Sequence, residues 1–259
     1  MSKSSILVLG GKSELGLSIA KKFSSNNFNI ILAGRNISTH VKIKDDLENE
    51  FGNKCKLIDF DVLNFNDHKR FIYEIISINK KLCDSHDEKK NIPDVIVCVV
   101  GKMINKKNNQ DPYDEIKEEM LTNYVGPSML IELITNEIQN FNECSNIIGV
   151  SSVAGERGRA SNYFYGSAKS GFTQYLSGLR QKLNQRQIPV TTIIPGYIDT
   201  KMLENISAPK FLISSPEQVA ELIFNSYKAN KAVVFTRYWR YIMYAIKLIP
   251  EFIFKNIRI

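Results

Sequence analysis

A tyrosine and a lysine four positions apart lie near the start of a segment with a helical pattern. They are Tyr165 and Lys169, and this spacing puts both side chains on one face of a helix. An ammonium group beside a phenol favours the phenolate, so the pair predicts a Tyr165 whose pKa is lowered from about 10 toward neutrality. Such a tyrosine can exchange a proton with a carbonyl or alcohol oxygen during hydride transfer.

A serine, Ser152, is also placed where it could take part in this proton transfer. Ser152 ends an apolar run that predicts a buried strand, and it precedes Tyr165 by thirteen residues. A Tyr-x-x-x-Lys pair alone is usually a feature of an exposed helix surface. A serine at a strand end, in a chain that also has a glycine-rich turn near its start, makes the three residues a predicted catalytic set.

Apolar strands that alternate with helices must position these residues. Strands are predicted at residues 6–9, 29–33, 56–60, 94–100, 146–151, 190–194 and 232–235. Helices are predicted at residues 38–50, with Ser38 as N-cap, and at 67–79, 114–140, 163–185 and 216–229, with an interruption near Gly126 and Pro127. The alternation predicts an α/β fold with a doubly wound parallel sheet, a single Rossmann-type domain over residues 1–236 followed by an amphipathic C-terminal tail over residues 237–259.

The first strand-to-helix turn is rich in glycine, at positions 10, 11 and 16. Glycines there allow a tight turn and let backbone N–H groups approach a pyrophosphate at the positive end of the helix. An ordinary turn could have the same composition. This turn, however, lies in the first crossover of an alternating chain, where dinucleotides bind in this architecture.

The end of the second predicted strand indicates which dinucleotide is preferred. An NAD-selective site has an acidic residue there for the ribose 2′-hydroxyl, and this sequence has none. Arg35 could pair with a 2′-phosphate, and Lys12 could add a second positive charge. We expect NADP(H) to be preferred and NAD(H) to be possible, the alternative being that both cations are merely solvated. Asp61 and Val62, after the third strand, could contact the adenine.

Composition argues against several other classes of function. The 259 residues carry a net charge of +7, yet no basic stripe studded with aromatic residues indicates nucleic acid. The four cysteines and three histidines form neither a C-x-x-C nor an H-x-x-x-H pair, so no metal site is expected. No stretch resembles a signal sequence or reaches the roughly 18 apolar residues of a spanning helix. A reducing, cytoplasmic setting is expected.

The catalytic set resembles that of the short-chain dehydrogenase/reductase family, and the resemblance covers the whole chain. It implies that Tyr165 is the general acid/base and that Ser152 orients the substrate oxygen. It implies that Lys169 lowers the pKa of Tyr165 and holds the nicotinamide ribose. Asn123, in the segment Thr-Asn-Tyr, would anchor a proton-relay water.

The same resemblance implies a set of cofactor contacts and, from the habit of the family, a homo-oligomer. Ile198 and Thr200 would face the nicotinamide carboxamide. The full expected set is Gly10, Lys12, Ser13, Leu15, Gly16, Arg35, Asp61, Val62, Gly101, Tyr165, Lys169, Pro195, Gly196, Ile198 and Thr200.

Some segments are similar to one branch of this family, the decaprenylphosphoryl-2-keto-pentose reductases. They are the glycine-rich turn, where Glu14 replaces a glycine, and residues 59–61, 155–157, 161–162 and 249–255. The resemblance implies reduction of a ketone on an activated or polyprenyl-phosphate-linked sugar, which completes an epimerisation begun by a flavin-dependent oxidase. It thereby implies a role in cell-wall or glycan biosynthesis. That branch is associated with NAD, which keeps NAD(H) open.

Two other interpretations stay open. The same catalytic residues could reduce another carbonyl, such as a 3-oxoacyl thioester. A catalytically silent, cofactor-binding regulator is the other alternative, although such a protein would be expected to lack Tyr165 or Lys169, and both are present.

The C-terminal tail is basic and aromatic. It has five basic residues, one acidic residue and six aromatic residues. A segment of this kind, too short to span, suits a membrane interface, so we expect peripheral contact with the inner face of the membrane. The alternative is that the tail packs on the domain or on a partner subunit. As a helix, it would place on one face Trp239, Ile242, Met243 and Ile246.

Overall fold

The computed structural model describes residues 3–82, 91–103, 112–141, 146–204 and 208–257. The strands are β1 Ser5–Leu9, β2 Asn29–Gly34, β3 Cys55–Asp59, β4 Val95–Cys98, β5 Asn146–Val150, β6 Val190–Ile194, β7 Tyr197–Ile198, β8 Ile213–Ser214 and β9 Val233–Phe235. Seven of them form a parallel sheet in the order β3-β2-β1-β4-β5-β6-β9, and β7 pairs with β8 separately. The strand order reverses between β1 and β4, which is where ligands bind in open α/β sheets.

Helices follow most of the strands, as a parallel sheet requires. They are α1 Glu14–Ser24, α2 Val41–Phe51, α3 His68–Leu82, α4 Pro112–Met120, α5 Gly126–Phe141, α6 Tyr163–Asn184, α7 Pro216–Lys228, α8 Trp239–Leu248 and α9 Glu251–Phe254.

Helices cover the sheet on both faces, and β1 shows how the sequence encodes this. Leu7 and Leu9 pack in a cluster with residues of α3, α5 and α6, whereas Ile6 and Val8 pack in a cluster with residues of α1, α2 and α7. None of the four is more than 1% exposed, and burying such a side chain contributes about 1.5–3 kcal/mol. An uninterrupted apolar strand is stable only between two layers, so the doubly wound fold is confirmed.

The predicted N-cap role of Ser38 is wrong. Ser38 lies in a 3-10 turn at Ile37–Thr39, and α2 begins at Val41. The backbone N–H and the hydroxyl of Ser38 both donate to the carboxylate of Asp59, at the end of β3. These hydrogen bonds lower the pKa of Asp59. The local sequence favours Ser38 as the cap of α2, but Ser38 hydrogen-bonds instead to the carboxylate of Asp59 from the neighbouring strand.

The interruption expected near Gly126 and Pro127 begins five residues earlier, as a π-helical turn at Leu121–Val125 between α4 and α5. Gly126 is needed at its end, because a Cβ there would lie 2.8 Å from the carbonyl oxygen of Val62. Single π turns often mark functional sites. This one contains Asn123.

The helix of the C-terminal tail packs on the sheet with its apolar face. For this face the alternative that the tail packs on the domain is confirmed, because Trp239 and Met243 are only 4% and 2% exposed. Residues 258 and 259 of the predicted tail lie outside the described residues. No helix in the described ranges is long and apolar enough to cross a membrane. The cluster consists of Val153, Ile194, Trp239 and Met243, with Ile242 and Ile246 packed against it.

Candidate active site

Ser152 lies two residues after the end of β5, at the carboxyl end of the sheet. Its backbone is extended, and its Oγ accepts a hydrogen bond of 3.1 Å from the backbone N–H of Ala154, which makes it the N-cap of a 3-10 turn at Val153–Gly155. The hydroxyl also forms a hydrogen bond with the side chain of Tyr165. The predicted Ser–Tyr pair is therefore in contact.

Tyr165 lies in the first turn of α6 and is half-buried. Burial raises the pKa of its phenol to about 12, and the nearby carboxylate of Glu119 acts in the same direction. The hydrogen bond from Ser152 and the positive charge of Arg159 oppose this rise without overcoming it. A phenol with so high a pKa carries its proton at neutral pH, which suits a proton donor.

The prediction that Lys169 lowers the pKa of Tyr165 toward neutrality is wrong for this structure. The Lys169 ammonium lies 5.9 Å from the centroid of the Tyr165 ring. It donates instead to the carbonyl oxygens of Val100 and Val150, at 3.2 Å each, and so joins the carboxyl ends of β4 and β5. Lys169 is 3% exposed, and this burial lowers its own pKa to about 8.

Asn123 is fully buried in the π-helical turn. Its Nδ2 donates to the carbonyl oxygens of Lys102, at 2.5 Å, and Glu119, at 2.8 Å, while its Oδ1 accepts from the backbone N–H of Lys102 at 3.1 Å. The side chain thus fastens the segment after β4 to the helix. A Cβ on Gly101 would lie 3.2 Å from Asn123 Oδ1 and 3.4 Å from Lys169 Nζ, so Asn123 lies close to Lys169.

The glycine-rich turn fits a pyrophosphate cradle. Gly10 has a φ of +89°, which side chains rarely adopt, and a Cβ on Gly16 would lie 2.5 Å from the carbonyl oxygen of Gly10. Ser13 is the N-cap of α1: its Oγ accepts from Gly16 N at 3.0 Å and donates to Gly10 O at 2.8 Å. These contacts hold the start of α1 against the end of β1, where helix N–H groups favour an anion.

A cleft of about 470 Å³ runs from this turn along the carboxyl end of β2. Lys12 and Arg35 are exposed at its edge, and neither forms a hydrogen bond or ion pair with another residue of the described ranges. Asp61 is held by a hydrogen bond of 3.0 Å from the N–H of Leu63. The predicted residues that line this cleft are Gly10, Lys12, Ser13, Arg35, Asp61, Val62 and Gly101.

A second cavity, of about 420 Å³, is lined by the predicted catalytic residues Ser152, Tyr165 and Lys169. It shares with the first cleft Lys12, Ser13, Val99 and Gly101. Asn123 and Gly16 line neither cavity and act through the backbone they hold. No group of three or more His, Cys, Asp or Glu side chains within the described part of the chain could hold a metal ion. The predicted residues that line this cavity are Lys12, Ser13, Leu15, Gly101, Ser152, Tyr165, Lys169, Pro195, Gly196, Ile198 and Thr200.

Residues between β5 and α6 that were not predicted as site residues also face this cavity. Arg159 and Asn162 line it beside Tyr165. Trp239 of α8 lies behind Gly196, where a Cβ would come within 1.8 Å of the indole Nε1. The sequence could have indicated Arg159 as a site residue, because it lies in the loop six residues before Tyr165. No sequence pattern could have indicated the contact between Gly196 and Trp239, because these residues are far apart in the chain.

A Rossmann-type sheet, a glycine-rich turn and a Ser–Tyr–Lys set at one edge define a dinucleotide-dependent oxidoreductase. The profile of the family described as short chain dehydrogenase matches residues 4–210. The chain belongs to this family, whose members are NAD(P)-dependent oxidoreductases of the CH–OH/C=O couple.

Curated relatives include reductases of this family. An uncharacterised oxidoreductase of Mycobacterium tuberculosis is 31% identical over 136 residues, which is 52% of this chain and 54% of the relative, so the match spans about half of its length. A ketoacyl reductase of Nostoc sp. is 23% identical over 86% of this chain and 75% of its own. A 3-oxoacyl-[acyl-carrier-protein] reductase of Aquifex aeolicus is 23% identical over 84% and 87%.

Solved structures have the same fold at low sequence identity. A short-chain dehydrogenase from Sphingobium yanoikuyae in complex with NADPH has a TM-score of 0.76 at 15% identity, over 98% of this chain and 96% of its own. A 3-oxoacyl-[acyl carrier protein] reductase from Brucella melitensis in complex with NAD has a TM-score of 0.73 at 17% identity, over 91% and 95%.

Proposed function

We propose that this protein reduces the ketone of an activated or polyprenyl-phosphate-linked sugar of the 2-keto-pentose type, with NADPH preferred over NADH. The observation that carries carbonyl reduction is the contact between Ser152 and a protonated Tyr165 in the cavity that contains Lys169. That cavity adjoins the glycine-rich cleft. The sugar and its lipid rest on the sequence resemblance to the pentose reductases.

Different residues of this chain would orient the ketone, protonate it and hold the cofactor. The hydroxyl of Ser152 donates a hydrogen bond to the ketone oxygen, and the phenol of Tyr165 gives that oxygen its proton. The nicotinamide cofactor supplies the hydride when bound. The turn from Gly10 to Ser13 would hold the pyrophosphate, and the Lys169 ammonium would bind the nicotinamide ribose.

The preference for NADPH is supported by the two exposed cations of the cleft. Arg35 directly follows β2, and a Cβ on Gly34 would lie 3.8 Å from the Cβ of Lys12, so the turn and the strand end are close. A guanidinium and an ammonium here would meet a 2′-phosphate through charge-assisted hydrogen bonds.

Replacing Arg35 with Asp is expected to lower the ratio of kcat/KM for NADPH to that for NADH by about tenfold to a hundredfold, the worth of a charged hydrogen bond. An aspartate would repel the 2′-phosphate and accept from the ribose hydroxyls. The ratio is measured by following NAD(P)H absorbance. The matched control is Arg186→Asp, at an exposed arginine beyond α6, which should leave the ratio unchanged. Equal kinetics with both cofactors in the unmodified protein would mean that Arg35 is merely solvated.

A second candidate substrate is a 3-oxoacyl thioester. Two relatives named as ketoacyl or 3-oxoacyl reductases favour it, and the same Ser–Tyr pair could serve a ketone of either kind. A catalytically silent regulator is not favoured, because Tyr165, Lys169 and Ser152 are all present and in place. The discriminating experiment incubates the protein and NADPH with a polyprenylphosphoryl 2-keto-pentose, beside a 3-oxoacyl thioester. Faster loss of NADPH with the thioester would overturn the sugar assignment.

If the substrate is a polyprenyl-linked sugar, the protein works in the cytoplasm, with peripheral contact at the inner face of the membrane, where a polyprenyl substrate stays. A flavin-dependent oxidase is then proposed as a partner, since an oxidase must supply the 2-keto sugar. A homo-oligomer is proposed from the habit of the family. The surface that supports membrane contact is the outer face of the tail, which is exposed at Tyr238, Tyr241, Tyr244, Leu248 and Phe252 by 63%, 74%, 69%, 66% and 69%.

This aromatic face is proposed to lie in the interface of an anionic bilayer. Tyrosine suits that zone because one end of its ring is polar. The neighbouring Lys255 is exposed and adds attraction to anionic lipid, which is about 1 kcal/mol per basic residue. This exposed face lies on the opposite side of α8 from the apolar face formed by Trp239, Ile242, Met243 and Ile246. That apolar face packs on the domain.

Combining Tyr241→Glu, Tyr244→Glu and Phe252→Glu is expected to lower binding to vesicles that contain phosphatidylglycerol by more than about tenfold, because three carboxylates oppose both burial and anionic lipid. Co-sedimentation at low salt measures it. The matched control is Tyr73→Glu, at a tyrosine of α3 that is 66% exposed, and it should bind as the unmodified protein does. If the unmodified protein does not sediment with the vesicles, or if the triple variant sediments equally, the aromatic face is not a membrane contact.

A further inference from the structure

Two residues that line the catalytic cavity each have a polar atom without a hydrogen-bond partner among the described residues. The Nε of Arg159 and the Oδ1 of Asn162 are both inaccessible to solvent and form no hydrogen bond with any described residue. Both residues line the cavity together with Tyr165. Buried polar groups are nearly always hydrogen-bonded, so two side chains in the wall of one cavity that leave polar atoms unpartnered indicate where a bound ligand would supply partners.

The neighbouring arginine shows what a structural role looks like in this loop. Arg157 donates to three carbonyl oxygens at the end of α8, at 2.7–3.1 Å, and to the carboxylate of Glu251 at 2.9 Å. Its guanidinium also lies 4.0 Å from the centroid of the Phe254 ring. Arg157 therefore fastens the tail to the loop. Arg159, two residues later, lines the cavity, and its side chain has no such partners among the described residues.

The charge of the cavity favours an anion. Its charged lining residues within the described ranges are four bases, Lys12, Arg159, Lys169 and Lys201, and one acid, Glu14. The Glu14 carboxylate accepts a hydrogen bond of 3.0 Å from the backbone N–H of Lys201. Lys12 and Lys169 belong to the proposed cofactor contacts. Of the other two bases, Lys201 is exposed, whereas Arg159 is partly buried and close enough to Tyr165 to lower the pKa of its phenol.

We propose that Arg159, with Asn162 beside it, binds a phosphate group that the substrate carries on the carbon next to its ketone. A guanidinium fits two phosphate oxygens at once through charge-assisted hydrogen bonds. The Asn162 amide would accept from a neighbouring hydroxyl. This inference rests on the proposed function, since it places the anion relative to the ketone that Tyr165 protonates, and it makes Arg159 a specificity-determining residue.

The test compares two ketones that differ only in the anion. Dihydroxyacetone phosphate carries its phosphate on the carbon next to the carbonyl, and dihydroxyacetone lacks it. Each reduction converts ketone, NADPH and a proton to alcohol and NADP⁺. The unmodified protein should show a kcat/KM at least tenfold higher for the phosphorylated ketone. Arg159→Gln should lower this selectivity by about tenfold to a hundredfold, mainly through KM, because a hydrogen bond to a charged group is lost.

Two further variants sharpen the result. Arg159→Lys should restore part of the selectivity, because it keeps the charge but not the paired geometry. Arg186→Gln, outside the cavity, should leave the selectivity unchanged. Unchanged selectivity in Arg159→Gln would overturn the proposal. An equal fall for both ketones, with a displaced pH profile, would also overturn it and make Arg159 a positioning residue for Tyr165.

Failure of the proposed function would be seen separately. If the unmodified protein reduces neither ketone, calorimetric titration of the NADP⁺-saturated protein with inorganic phosphate decides the question without turnover. Binding that is lost in Arg159→Gln, with NADP⁺ affinity retained, would support the phosphate site alone. Absent or equal phosphate binding in the two proteins would overturn it.

Discussion

Tyr165→Phe is expected to lower turnover by about 10²- to 10⁴-fold, the range that one positioned proton donor contributes. The phenyl ring keeps the packing of the first turn of α6 but has no proton to give. Affinity for NADPH should change little, because the contacts proposed for the pyrophosphate lie in the glycine-rich turn. Turnover is followed by NADPH absorbance, and affinity by quenching of protein fluorescence.

Lys169→Ala is the companion to this variant, and it should damage both turnover and cofactor affinity. The pH profile separates the two groups. Burial raises the pKa of Tyr165 to about 12, so its proton is retained across neutral pH. The pKa of Lys169 is lowered to about 8, so its cation is present below that pH and lost above it. Activity should therefore fall as pH rises through about 8. A near-normal rate in Tyr165→Phe would refute the assignment of the proton donor.

Trp239→Ala is expected to lower the free energy of unfolding by about 3–5 kcal/mol, as for other large aromatic residues removed from a core. The indole is 4% exposed and packs edge-on against Tyr197, with ring centroids 5.4 Å apart. Its Nε1 donates to the carbonyl oxygen of Leu212 at 3.2 Å. Urea denaturation followed by circular dichroism measures the change.

The control for this variant is Tyr241→Ala, two residues along the same helix and 74% exposed. It should change stability by no more than about 0.5 kcal/mol. Equal stability of Trp239→Ala and the unmodified protein would mean that α8 is not part of the core.

The sequence predicts those features that depend on short-range pattern. The strand before Ser152 is a continuous apolar run, and Tyr165 and Lys169 are one helical turn apart, so their approach to a common edge follows from a parallel sheet. The cradle at Gly10 and Gly16 is predictable for the same reason, since only small residues fit a turn this tight.

Features that depend on distant partners could not be predicted in this way. Ser38 is a good N-cap by type, but Asp59 reaches it from the neighbouring strand. The amphipathic pattern of α8 specifies a buried face without saying what buries it, and here the sheet does. The spacing of Tyr165 and Lys169 places both on one face of α6 but does not fix the direction of the ammonium. The ammonium donates to the carbonyl oxygens of Val100 and Val150 and not to the Tyr165 phenol.

The central claim is that the contact between Ser152 and Tyr165 serves the reduction of a ketone. The most direct measurement gives the protein NADPH that carries deuterium at the transferable position of C4, together with the candidate ketones, and analyses the products by mass spectrometry. The account predicts one deuterium on the new carbinol carbon with the unmodified protein, and a yield lower by about 10²-fold or more with Tyr165→Phe. Unlabelled product, or equal labelled yields from both proteins, would contradict it.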